Sequence, residues 1–113
     1  MTVEVLAEPK VKAALERLVD LARSDTGQSA RAANFLLAWW NGDDWGHFPI
    51  ADLFGVDRAI AADMATIFAF LGQQPGAIYP DAFGYRAEMA DLVEQWRPKQ
   101  DESDEYESPL LLR

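Results

Sequence analysis

The chain contains no cysteine, a single histidine, and ten basic residues against nineteen acidic ones. The missing thiols exclude disulfides, thiolate zinc sites and cysteine nucleophiles, and they favour a reducing, cytoplasmic setting. The basic deficit leaves a net charge of −9 and a pI near 4.4. Such a balance opposes direct binding to DNA, RNA or anionic lipid, whose phosphates are engaged by clusters of Lys and Arg. The imbalance is not confined to the C-terminus, since residues 1–97 hold eight basic and fourteen acidic side chains, a net of −6.

Long apolar runs are also missing. The longest, Phe35 to Trp40, falls far short of the about 20 residues that span a bilayer. MTVEVLAEPKVK carries neither an early basic region nor a long apolar core of the signal-peptide kind, so a soluble protein is expected. No internal repeat and no sustained alternation of polar and apolar residues argue for a sheet.

What is present is helical patterning. In PKVKAALERLVDLAR, Val11, Leu15, Leu18, Val19 and Ala22 form one apolar stripe at the helical period. Asp25 and Gln28 have capping-box spacing and place the start of a second helix there. Phe35, Leu36, Leu37, Trp39 and Trp40 cannot share one face, so this helix is expected to be central and covered from several sides. Asn41-Gly42 is read as its stop, both residues tolerating a left-handed terminus. FPIADLFGV reads as a loop with a short helical turn. Asp57 is placed as the cap of a third helix with Ile60, Met64, Ile67, Phe68 and Leu71 inward, ended by Gly72. After the loop QQPGAIYP, Asp81 is placed as the cap of a fourth helix carrying Met89, Leu92, Val93 and Trp96. Pro98 closes that helix.

The expected fold is all-α: a compact bundle of about four main helices plus short helical turns, with the second helix surrounded by the other three. Residues 1–98 form the helical domain. Residues 99–113 form an acidic tail ending in the apolar cluster Leu110, Leu111 and Leu112.

Chemistry is sparse. In FLLAWWNGDDWGHF, the spacing of Asn41, Asp43, Gly46, His47 and Asp52 approaches a calcium loop but supplies too few oxygen donors. Asp43, Asp44 and His47 could serve as metal ligands or as a base, yet no second histidine and no serine in a nucleophile-like context accompany them. No catalytic, metal or cofactor residue is therefore assigned, and the chain is not expected to be an enzyme. Trp45 either folds over the core as a lid or, turned outward with Phe48 beside Asp43 and Asp44, anchors a contact surface for another protein. The tail leucines Leu110, Leu111 and Leu112 suit a segment that orders on a partner, on its own domain or on a twin subunit.

The order LLAWWN, DLFGVDRAIAADM and YPDAFGYRAEMADLVEQWRP resembles a family of short bacterial proteins classed as a domain of unknown function, often found in mobile or integrated elements. The resemblance covers residues 13–98. It implies a small accessory protein and transfers no site residue. The expected function is thus a non-enzymatic, acidic protein-interaction module whose partner is another protein, basic in one version, or a second copy in a homo-oligomer. The alternative is a nucleic-acid-mimicking, anti-CRISPR-like inhibitor of a nucleic-acid-binding protein. A weaker third reading keeps an enzyme or metal site at Asp43, Asp44 and His47.

Overall fold

Helix α1, Pro9–Ala22, begins with proline in its first turn, where the absent N–H leaves no bond unmade. It buries Val11, Ala14, Leu15, Leu18, Val19 and Ala22, which is the stripe the sequence predicts with Ala14 added. The structure is a computed structural model and describes residues 9–98. The tail, with Leu110, Leu111 and Leu112, lies outside the described residues. Within the described residues the fold is all-α, with no strand.

Helix α2 spans Gly27–Trp45. Its N-cap is Thr26, not Asp25: the Thr26 Oγ1 accepts the Ser29 backbone N–H at 3.0 Å. Gln28, expected to reach back to the cap, instead accepts the Asp57 backbone N–H at 2.7 Å. A side chain that could close a local box is used to tie the start of the next long helix to the start of α2. Leu36 and Leu37 are both fully buried, while Phe35, Trp39 and Trp40 are partly covered.

A 3-10 turn, Ile50–Gly55, then leads into α3, Arg58–Gly72. Asp57 is the N-cap residue of α3 by position, but its side chain makes no capping bond. A second 3-10 turn, Pro80–Phe83, precedes α4, Arg86–Trp96. Asp81 therefore does not cap α4. Pro80 opens the 3-10 turn, Phe83 is buried, and Gly84 takes a left-handed φ of 87° that ends it. A residue with Cβ is strained in that conformation, so the chain stops and restarts between Asp81 and Arg86.

The packing order departs from the expected arrangement. Helix α1 packs along both α2 and α3, and α4 packs on α2. Helices α2 and α3 make no extensive backbone contact with each other. Helix α2 is thus flanked by α1 and α4, and α3 is held mainly by α1. A bidentate pair fastens that junction, Arg17 Nε and Nη2 each donating to Asp63 at 2.9 Å. The hydrogen bonds and charge of Asp63 raise the Arg17 pKa above its ordinary value. The consequence for function is an uncovered apolar side of α3. Phe68, read as an inward residue, is 71% exposed, because no helix among the described residues closes over it.

Candidate interaction surface

The stretch from Trp39 to Phe48 is built around a kink. Asn41 leaves helical geometry with φ −158° and ψ 85°. This is extended backbone, not the left-handed stop expected at Asn41-Gly42, and one more helical turn follows over 42–45. Asn41 caps that turn: its Oδ1 accepts the Asp44 N–H at 3.2 Å, and its Nδ2 donates to Asp44 Oδ2 at 3.1 Å. The stop and restart are therefore one capping motif. Gly46 ends the turn by donating its N–H to the Gly42 carbonyl at 3.0 Å. A Cβ at position 46 would stand 2.5 Å from that carbonyl oxygen, so only glycine fits without a backbone shift.

Each tryptophan has a distinct placement. The Trp39 indole N–H donates to the Ile78 carbonyl at 2.7 Å. Trp96 donates to the Ala22 carbonyl at 2.8 Å, satisfying an acceptor at the end of α1. Trp40 lies beneath the Arg86 guanidinium, 5.6 Å from its ring centroid, a cation–π distance. Trp45 is half-buried against the edge of the core, and its carbonyl accepts from Arg97 Nε at 3.1 Å.

Arg97 also donates through Nη2 to Asn34 Oδ1 at 2.7 Å, so one guanidinium joins the end of α4 to two points of α2. Burial lowers its pKa. An ammonium cannot reproduce this fork. Arg97→Lys is expected to cost about 1–2 kcal/mol in urea unfolding, reduced from the usual value for charged hydrogen bonds by partial exposure. An unchanged midpoint would show that the fork contributes nothing.

Two concavities flank the kink. The first, about 560 Å³, is lined by Trp39, Trp40, Asn41, Asp43, Tyr79 and Asp81, among others. Aromatic faces beside carboxylates suit a cation. One is already at hand, as Arg86 approaches Asp81 Oδ2 at 3.5 Å and lies over Trp40. The second, about 400 Å³, is a groove between α2 and α3. Phe35 forms its α2 wall, and Ala61, Met64, Ala65 and Phe68 form its α3 wall. Phe48, Ile50 and Leu53 complete it from the connection. The Phe48 ring sits edge-on to Phe35 at 5.4 Å. No ionisable side chain lines this groove. Ile50 is 71% exposed, and Phe54 on the same 3-10 turn is 94% exposed.

Of the residues singled out from sequence, Asp43, Asp44 and His47 are exposed, while Trp45 and Phe48 are half-buried. Asp44 is tied to Asn41. Among the described residues, no three His, Asp or Glu side chains come together in a metal-holding group. Likewise, no helix among them is long and apolar enough to cross a membrane. The most exposed apolar residues, Phe54, Phe68 and Ile50, were not predicted as surface. Two signals pointed to them: α3 holds only Arg58, Asp63 and Thr66 as polar side chains, and FPIADLFGV is apolar beyond the needs of a loop.

A model of a family of unknown function, DUF7673, matches residues 12–97. The chain belongs to DUF7673. The matched span agrees with the resemblance read over residues 13–98. No curated protein and no solved structure matches the chain. The DUF7673 span includes both concavities and excludes the tail leucines Leu110, Leu111 and Leu112.

Proposed function

We propose that this member of DUF7673 is a non-enzymatic protein-interaction module, an acidic cytoplasmic accessory protein of a bacterial mobile element. The bacterial and mobile-element setting rests on the sequence resemblance alone. The observation that carries the interaction reading is the apolar groove bordered by Phe68 and Ile50, with Phe54 standing clear of the same turn. The largest exposed apolar patch on a soluble protein is often the surface through which it makes contacts. Affinity capture from the native host, with and without nuclease, is expected to enrich a defined protein set with the wild type. Phe68→Glu is expected to lose that set. If nothing is enriched and the purified chain turns over small substrates, the reading is sunk.

A second reading, the nucleic-acid-mimicking inhibitor, draws on a separate face. Tyr85 has its pKa raised first by burial and then by the charges of Glu16, Glu88 and Asp20. Of these carboxylates, Glu16 and Asp20 of α1 are exposed and Glu88 of α4 is half-exposed. Binding of a basic partner there would weaken with salt and compete with DNA or RNA. Indifference to both would count against it.

A further inference from the structure

We infer that the groove between α2 and α3 is covered by the same groove of a second copy of this chain, forming a two-fold symmetric dimer. This rests on the interaction reading and names its occupant.

Three observations favour a second copy. First, a two-fold interface must be complementary to itself, and this surface carries both parts that such a contact needs. It offers an open groove of about 400 Å³ alongside protruding aromatic rings, Phe68 at 71% and Phe54 at 94% exposure. The rings of one copy can enter the groove of the other.

Second, the electrostatics select against the partner that the rest of the chain suits. A chain of net charge −9 attracts basic proteins, but a basic partner gains nothing from a groove lined without a single carboxylate. Two like-charged copies approach most readily through a face whose charges are absent or paired, and the one carboxylate of the adjoining 3-10 turn, Asp52, lies 3.9 Å from Arg31. On α3 the two ionisable residues are Arg58, at the first position, and Asp63, which is held by Arg17 on the side facing α1.

Third, the exposed apolar area reaches the least that a specific interface needs if all of it is buried. Phe54, Phe68, Ile50 and Leu53 together leave about 500 Å² of apolar side chain exposed per copy, taking a full aromatic side chain as 150–250 Å². Two copies then bury about 1,000 Å² in total, the lower bound of a specific interface. Helix α3 is apolar on nearly all sides, a composition that belongs to helices covered all round.

Sedimentation velocity on the full chain across a concentration series, at low and high salt, tests this. The expected result is a species of twice the 12.6 kDa chain mass. Its association strengthens with added salt, because screening relieves repulsion between like-charged copies. Phe68→Glu and Phe54→Glu are each expected to raise the dimer dissociation constant roughly 30-fold or more. The circular dichroism of both variants should match wild type, as neither side chain is buried. A monomer at every concentration overturns the dimer, as does a dimer that survives both substitutions. A monomer whose Phe68→Glu variant still loses a captured protein overturns self-pairing alone and leaves the interaction reading standing.

Discussion

Leu36→Ala is expected to lower the unfolding free energy by about 2–5 kcal/mol, the range for removing a buried leucine and leaving a cavity. Leu36 is fully buried, as is its neighbour Leu37. Adjacent helix positions point about 100° apart, so covering both takes more than one neighbour, and α1 and α4 each pack on α2. That helix is interrupted at Asn41 and has no single apolar stripe, so its stability comes from packing more than from local propensity. Against a typical total of about 5–15 kcal/mol, the loss is large. Urea unfolding at concentrations that keep the chain monomeric would report it as a shifted midpoint at constant slope. Phe68→Ala is the control. The spacing of α3 places Phe68 on an inward stripe, yet it is 71% exposed, and its truncation is expected to change stability by about 0.5 kcal/mol or less. Equal losses in the two variants would mean that α3 is packed differently.

The second large effect is expected at Trp39. Trp39→Ala should cost about 3 kcal/mol, the lower end for truncating a large aromatic because the side chain is only partly buried. Its indole fixes the loop 73–79 through the Ile78 carbonyl, 2.7 Å away. Its ring also meets Phe83 edge-on at 6.3 Å. Phe83 in turn meets Phe70 of α3 at 6.3 Å, so one tryptophan links α2, the second 3-10 turn and α3. Trp39→Phe retains one aromatic ring and loses the donor together with part of the indole's volume. It is expected to cost about 1 kcal/mol, with faster amide exchange in residues 73–79. If Trp39→Phe matches wild type in both stability and exchange, the indole N–H is not holding the loop.

Much of this fold is legible in the sequence, and the departures have local causes. The α1 stripe, the fourth-helix stripe and the ends of α3 follow from periodicity, proline and glycine. The caps were harder to read because several residues compete for each role. Thr26 lies one position after Asp25 and is the residue whose oxygen reaches Ser29. Gln28 finds a longer-range acceptor role with Asp57. Asn41-Gly42 correctly marks an interruption, but the Asn41 side chain restarts a turn instead of ending the helix. The surface was least legible. A helical stripe says which side chains align along one face, and not whether another helix arrives to cover it. Phe68 satisfies the pattern and remains in solvent because α3 packs mainly on α1, on its other side. Trp45, the residue whose orientation bore most on the candidate site, is half-buried at the core edge. The exposed apolar surface is supplied by Ile50, Leu53, Phe54 and Phe68.

The central claim is that this surface is an interface, with the chain acting by contact and not by catalysis. Photo-crosslinking in the native host, from a benzophenone side chain placed at position 68, tests it most directly. The same group at position 94, an exposed site on α4, is the reference. The account predicts a discrete protein adduct from position 68, at the mass of a second copy if the dimer forms, and only background from position 94. Background alone from position 68, or the same adducts from both positions, would contradict it.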